Sequence, residues 1–201
     1  MTKIKICGLF RPCDIDYVNE AKPDYCGFII NFPKSHRNLT PEQVRTLREK
    51  LDSAVSPVGV FVDEAPETVA ALLKEGTISV AQLHGHEDEN YIAALRALAP
   101  GCTIWKAYNV RAEEDLAAAL ASTADLVLLD SGQGTGQTFD WSLAAGVKRP
   151  FLLAGGLTPE NIPQAIESVR PFGLDLSSGV ETDKRKDREK ILAAVAAARK
   201  E

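Results

Sequence analysis

Two reactive side chains stand at the ends of short apolar runs in this chain. Cys7 follows Lys5-Ile6 near the start of the sequence, and Asp130 follows the run 126–129. A cysteine can serve as a base or a nucleophile once its thiol ionises, and a carboxyl group can serve as an acid or a base. Each also has a structural interpretation, since a lone cysteine is usually a small buried hydrophobic residue and an aspartate can cap a turn.

Two glycine loops follow the last two apolar runs. Gly155-Gly156 comes directly after the run 151–154, and Ser178-Gly179 comes after the run 173–176. Glycine lets backbone N–H groups approach an anion closely, and a nearby helix N-terminus adds a favourable dipole. The alternative is that these glycines only turn the chain. Their position after two successive strands predicts a phosphate site.

Three further side chains are candidate substrate-binding residues. Arg37 ends the basic segment 33–37, where it can bind a carboxylate or phosphate through two hydrogen bonds or belong to a solvated loop. Asp175 lies in the last apolar run and His84 directly follows another. Asp175 can instead orient its neighbours or be a satisfied polar group inside the fold, and His84 can instead form a turn.

Apolar runs alternate with helix-like stretches along the whole chain. Runs rich in Val, Ile and Leu are typical of parallel strands covered on both faces. Thr40-Pro41 and Thr158-Pro159 each predict a capping threonine before a first-turn proline. We predict strands near 3–7, 24–30, 57–62, 79–84, 103–108, 125–130, 150–154 and 172–177, and helices near 12–21, 41–52, 66–75, 88–98, 112–122, 159–168 and 187–200.

This alternation favours an α/β fold, a (β/α)8 TIM barrel formed by residues 1–201 as a single catalytic domain. An open doubly wound sheet has the same periodicity and is the alternative. In a barrel, the carboxyl ends of the strands carry the active site, and the loops after strands seven and eight often bind phosphate. The glycine-rich segment 131–137, after the sixth strand, can close over the site as a lid.

Composition argues against several classes of function. The net charge of −5 argues against nucleic acid and anionic membranes as partners. No apolar run reaches the length of about 18 residues that a membrane span needs, and no signal-peptide pattern is present, so we expect a cytoplasmic protein. The cysteines and histidines share no metal-ligand spacing, which predicts reduced thiols and no metal. Segment 131–137 is not a dinucleotide fingerprint, so no nicotinamide cofactor is expected.

Taken in order along the chain, the motifs resemble those of the phosphoribosylanthranilate isomerase family. Singly they are short, but as an ordered set spanning the chain they are specific. The matching segments are Lys5-Ile6-Cys7-Gly8-Leu9, Gly27-Phe28, Pro33-Lys34-Ser35-His36-Arg37, Val58-Gly59-Val60-Phe61, Gln82-Leu83-His84-Gly85, Leu128-Leu129-Asp130, Gly134-Thr135-Gly136, Phe139-Asp140-Trp141, Ala154-Gly155-Gly156-Leu157 and Asp175-Leu176-Ser177-Ser178-Gly179-Val180-Glu181.

The resemblance implies an Amadori rearrangement in tryptophan biosynthesis. The substrate would be the phosphosugar N-(5-phosphoribosyl)anthranilate and the product 1-(2-carboxyphenylamino)-1-deoxyribulose 5-phosphate, with no cofactor and no metal. Cys7 would be the general base at ribose C2, Asp130 the general acid at the ring oxygen, and Arg37 the ligand of the anthranilate carboxylate. The thiol pKa would have to fall and the carboxyl pKa to rise. We expect a monomer or a homodimer.

The chain also departs from the family pattern. Gln133 replaces a glycine in the loop after the sixth strand, segment 182–187 lacks the usual glycine, and Phe10 replaces a small polar residue. Three other functions share parts of the pattern: an indole-glycerol-phosphate synthase, a ribulose-phosphate epimerase, and a non-catalytic anion-binding barrel. The first would need further catalytic lysine and glutamate residues, the second metal-binding histidines, and the third neither Cys7 nor Asp130.

Overall fold

Eight parallel strands close into a barrel in the computed structural model, which describes residues 1–130 and 141–200. Each strand pairs with the next along the chain, and the first also pairs with the eighth, which closes the sheet. The predicted lid over 131–137, with Gln133, lies outside the described residues. The barrel strands are β1 (Lys3–Cys7), β2 (Tyr25–Ile30), β3 (Ser56–Phe61), β4 (Val80–Leu83), β5 (Thr103–Asn109), β6 (Leu126–Asp130), β7 (Phe151–Ala154) and β8 (Gly173–Leu176).

Helices connect the barrel strands within the described residues, so successive barrel strands can run parallel to each other. A 3-10 helix, Trp141–Ala144, takes this place between β6 and β7, as the short segment 141–148 predicts. Closure of the sheet confirms the predicted TIM barrel and excludes the open doubly wound sheet. The helices are α1 (Pro12–Ala21), α2 (Pro41–Arg48), α3 (Pro66–Lys74), α4 (Glu89–Leu98), α5 (Glu113–Ala121), α6 (Ile162–Val169) and α7 (Arg188–Arg199).

One of the two predicted threonine caps is correct and the other is wrong. Thr40 begins α2 as predicted, since its hydroxyl accepts a hydrogen bond from the Gln43 backbone N–H. Thr158 does not begin α6, which starts at Ile162 with Asn161 at the N-cap. The Asn161 side chain accepts from the Thr158 N–H and donates to the Gly156 carbonyl. These bonds hold Thr158 in the glycine loop, and α6 therefore begins only at Ile162.

Alternation along the strands sorts side chains between two cores. On β1, Ile4 and Ile6 belong to the large core between barrel and helices, so Lys5 and Cys7 point into the barrel. A second apolar cluster fills part of the interior, and each fully buried Leu or Val there contributes about 1.5–3 kcal/mol. The members of this cluster are Val58, Val80, Trp105, Ala107, Leu126, Leu128, Leu152 and Ala154.

Beside the eight barrel strands, a short strand, Asn38–Leu39, pairs in parallel with β2. A small antiparallel hairpin, Glu181–Thr182 with Arg185–Lys186, follows β8, and its turn residues Asp183 and Lys184 have φ values of 50° and 60°. Among the described residues, none of the helices has the length and apolarity required to cross a membrane.

Candidate active site

A cavity of about 250 Å³ opens at the carboxyl ends of the barrel strands. The structure brings together in its lining every site residue that the sequence predicts except Arg37. The predicted residues found there are Cys7, His84, Asp130, Gly155, Gly156, Asp175, Ser178 and Gly179, and they are joined by Ile29, Phe32, Ser35, Val60, Val62, Gln82, Ala154, Leu157 and Ser177.

Cys7 is the last residue of β1, and its side chain is buried at the cavity wall. Its Sγ lies over Gly27 of β2, where a β-carbon would come within 2.8 Å of the sulfur. Burial raises the pKa of the Cys7 thiol, although the positive charge of Lys5 opposes the rise. The expectation of a lowered thiol pKa is therefore wrong, because the loss of solvation outweighs the neighbouring cation.

Lys5 and Asp175 form a buried ion pair beside Cys7. The register places Lys5 opposite Asp175 on the adjacent β8, and Lys5 Nζ lies 2.9 Å from each carboxylate oxygen. The Lys5 side chain is fully buried and that of Asp175 is 8% exposed. The predicted orienting role of Asp175 thus has a definite partner in Lys5. In the sequence, the spacing of two residues between Lys5 and Cys7 already indicates that both side chains point to the same face of β1.

Asp130 ends β6 on the same cavity. His84 follows β4, and its Nε2 lies 3.7 Å from Asp130 Oδ2. The side-chain amide of Gln82 lies 3.2 Å from the other ring nitrogen, Nδ1. When that amide donates to Nδ1, the ring proton resides on Nε2 and faces the carboxylate. Gln82, which the sequence analysis does not select, thus contacts the histidine that lies beside Asp130.

The two glycine loops touch each other at the cavity. Gly155 and Gly156 have φ values of 88° and 63°, in the region that favours glycine. A β-carbon on Gly179 would lie 1.8 Å from the Leu157 carbonyl oxygen. Ser178 begins the short 3-10 helix Ser178–Val180. These loops thus present closely packed backbone after β7 and β8, where a barrel commonly binds phosphate.

Gly179→Ala is expected to weaken phosphate binding by about ten- to a hundredfold. The added methyl group must push the two loops apart, because it meets backbone rather than a flexible side chain. A lost hydrogen bond to a charged group costs about 1.5–3 kcal/mol, which corresponds to this range. Titration calorimetry with inorganic phosphate measures the change. Gly146→Ala is the control, since a β-carbon there meets nothing within 4 Å. Unchanged phosphate affinity in Gly179→Ala would remove these loops from the phosphate site.

Arg37 lies beside the cavity, where it is bound to Glu181 of the hairpin. Arg37 Nε and Nη2 donate to the two Glu181 carboxylate oxygens at 2.7 and 2.6 Å. The buried Lys186 ammonium donates to Glu181 Oε1 at 2.7 Å. Burial alone would raise the pKa of Glu181, but the hydrogen bonds and charges of Arg37 and Lys186 lower it to about 2. Segment 182–187 therefore supplies Lys186, which holds the Glu181 carboxylate that binds Arg37.

Acid is expected to destabilise the chain through this cluster. The pKa of Glu181 falls from 4.5 to about 2 on folding. Its contribution to stability is therefore present above about pH 4.5 and is lost as the pH falls toward 2. Urea denaturation as a function of pH should show a smaller acid loss for Glu181→Gln than for wild type. Glu113→Gln, at an exposed position, is the control. Parallel pH curves for wild type and Glu181→Gln would contradict this assignment.

Comparison with known proteins identifies the family. The sequence model of "N-(5'phosphoribosyl)anthranilate (PRA) isomerase" matches residues 4–197. The N-(5'-phosphoribosyl)anthranilate isomerase of Acetivibrio thermocellus is 44% identical, over 95% of this chain and 93% of the relative. That of Clostridium acetobutylicum is 40% identical, over 100% and 99%.

Solved structures agree with this assignment. The phosphoribosyl anthranilate isomerase of Thermotoga maritima superposes with a TM-score of 0.89 at 36% identity, and the match covers 98% of both chains. A phosphoribosyl anthranilate isomerase in complex with reduced 1-(o-carboxyphenylamino)-1-deoxyribulose 5-phosphate gives a TM-score of 0.86 at 35% identity, again over 98% of both chains. The chain therefore belongs to the N-(5'-phosphoribosyl)anthranilate (PRA) isomerase family.

Proposed function

We propose that this chain performs the Amadori rearrangement of N-(5'-phosphoribosyl)anthranilate in tryptophan biosynthesis, with Cys7 as general base and Asp130 as general acid. The observation that carries this assignment is the shared cavity, since both side chains line it together with the two glycine loops. β1 and β6 are not neighbours in the barrel, because β7 and β8 lie between them on the shorter side. A sugar between these strands can be approached by the two groups from different sides.

The acid step opens the sugar ring. Asp130 donates a proton to the furanose ring oxygen, and the bond from that oxygen to C1 breaks, leaving a cationic imine between C1 and the anthranilate nitrogen. His84, with Nε2 3.7 Å from Asp130 Oδ2, supports the carboxylate that remains. General acid catalysis by a positioned side chain contributes about 10²–10⁴-fold in rate.

The base step moves the double bond. The Cys7 thiolate removes the proton from C2, and the electron pair of that C–H bond neutralises the imine to give an enolamine. The enolamine then becomes the ketone by gaining a proton at C1 and losing the proton of the C2 hydroxyl. The positive charge of the imine stabilises the Cys7 thiolate and so opposes the burial that raises the thiol pKa.

The remaining groups bind the substrate. The loops at Gly155-Gly156 and Ser178-Gly179 hold the phosphate, and Arg37 binds the anthranilate carboxylate. The two hydrogen bonds to Glu181 use two of the five N–H donors of the Arg37 guanidinium, so this role is compatible with the observed pair. His84 and Asp175 complete the wall of the binding site.

These steps transfer protons only, so the proposal includes neither a cofactor nor a metal. We further propose that residues 1–201 form one catalytic domain, which acts in the cytoplasm as a monomer or a homodimer. A solved relative from Thermotoga maritima is a dimeric phosphoribosylanthranilate isomerase, which supports the homodimer. Neither nucleic acid nor membrane is proposed as a partner, in keeping with the net charge of −5.

The test is turnover by the purified chain. We expect the fluorescence of N-(5'-phosphoribosyl)anthranilate to decay with time and the decay rate to be proportional to enzyme concentration. Phosphate-dependent thermal protection without any turnover would contradict the enzymatic proposal and favour an anion-binding barrel.

A further inference from the structure

Lys5 is a fully buried lysine that no step of the proposed reaction uses. It precedes Cys7 by two residues on β1, so both side chains point into the barrel. Burial of an ammonium group costs free energy unless a partner compensates its charge. Asp175 provides that partner, but a hydrophobic pair of similar size would fill the same space at no such cost. The pair therefore invites a functional explanation.

The hydrogen bonds of Lys5 leave one donor for Cys7. An ammonium group has three N–H donors, and two of them reach Asp175 Oδ1 and Oδ2, each at 2.9 Å. The third is used by neither of these bonds, and Cys7 is the next inward-facing side chain on β1. Both side chains fold over Gly27, where a β-carbon would lie 2.8 Å from Cys7 Sγ and 3.0 Å from Lys5 Cε.

We propose that Lys5, held in place by Asp175, is the positioning residue that makes Cys7 usable as a base, because its ammonium group donates a hydrogen bond to the thiolate. The inference rests on the proposed function and extends it to a residue that does not contact the substrate. Lys5 keeps its own protons throughout. When Cys7 takes the proton from C2, the ammonium group remains bound to Asp175.

Other charged and titratable groups also face Cys7. Asp175 on β8 disfavours the thiolate, Lys186 of the hairpin favours it, and Cys26 lies nearby on β2. Lys186 donates to Glu181 Oε1 at 2.7 Å and to the Ser177 carbonyl at 2.8 Å. Since Glu181 balances its charge, Lys186 influences Cys7 only at a distance. Lys5 is the cation that shares the inward face of β1 and the space over Gly27 with the sulfur.

The pH dependence of Cys7 alkylation tests the proposal. Iodoacetamide modification is followed by mass spectrometry of the intact chain, in a background in which Cys13, Cys26 and Cys102 are replaced by alanine, so that Cys7 is the one cysteine. In the wild type we expect an inflection above that of a free thiol, because burial raises the thiol pKa. Lys5→Met should raise the inflection further, by about one unit or more, which slows alkylation at a fixed pH about tenfold.

Two variants distinguish this role from a purely structural one. Asp175→Asn removes a charge that opposes the thiolate, so its inflection should move downward, opposite to that of Lys5→Met. Lys186→Met, the matched control, removes a second buried lysine and should produce a smaller upward shift than Lys5→Met. Shifts in the same direction for Lys5→Met and Asp175→Asn would overturn the proposal.

A double variant keeps the test valid if Lys5→Met does not fold. Lys5→Met/Asp175→Leu replaces the ion pair by apolar side chains, which is often neutral for stability. Its inflection should still move upward, but less than that of Lys5→Met, because the lost Asp175 charge offsets part of the lost Lys5 charge. An unchanged inflection in a folded variant without Lys5 would overturn the proposal. Alkylation needs no turnover, so this result is independent of the proposed function, which the turnover assay tests separately.

Discussion

Cys7→Ala is expected to lower kcat/KM for N-(5'-phosphoribosyl)anthranilate by about 10²–10⁴-fold, the usual contribution of a positioned general base. The sulfur lies at the cavity wall, and its neighbours Lys5 and Asp175 bind each other, so neither can readily replace it. Cys7→Ser should be similarly impaired, because a hydroxyl group ionises far less readily than a thiol. The fluorescence decay of the substrate measures both variants.

Cys13→Ala is the control for this experiment. Cys13 lies on α1, outside the lining of the cavity, so its replacement should leave kcat/KM within about twofold of the wild type, as expected for a residue that contributes less than about 0.5 kcal/mol. If Cys7→Ala keeps wild-type turnover while it remains folded, the base must be another group, and the reaction scheme proposed above is incorrect.

Asp130→Asn is expected to reduce kcat by about 10²–10⁴-fold and to change KM much less. The amide matches the carboxyl group in shape but cannot deliver an acidic proton to the ring oxygen. The cavity should therefore still bind the phosphosugar, since the two glycine loops lie on the neighbouring strands β7 and β8 and not on β6. Steady-state kinetics, with phosphate affinity measured in parallel, separates these two effects.

Asp16→Asn gives the matched control for the loss of one carboxylate. Asp16 is exposed on α1, so its amide variant should retain wild-type kcat. The opposite pattern for Asp130→Asn, a raised KM with unchanged kcat, would show that Asp130 binds the substrate without acting as its acid.

The sequence predicts the fold well because barrel strands have a strong local signal. Each is a short apolar run followed by a polar or glycine cluster, and the observed strands begin or end within about one residue of the predicted ones. The start of α6 is missed because the Thr158-Pro159 pattern is local. The side chain of Asn161 instead bonds to Gly156 and Thr158, a competition that the threonine and proline alone do not reveal.

The site is predicted less completely than the fold because side-chain partners come from distant parts of the chain. The pair of Lys5 and Asp175 depends on the register between the first and last barrel strands. The pair of Arg37 and Glu181 depends on how the hairpin after β8 folds back. The raised pKa of Cys7 follows from burial, and the degree of burial at a strand end depends on the loops that cover it.

Gly27 shows that a position occupied by glycine can tolerate substitution as poorly as the position of a reactive residue. The space above it is occupied from the adjacent strand by both Cys7 and Lys5. Even a methyl group at this position would displace the sulfur, although no functional group would be lost. Substitutions at position 27 should therefore do harm mainly by moving the thiol, and less by weakening the pairing of β1 with β2.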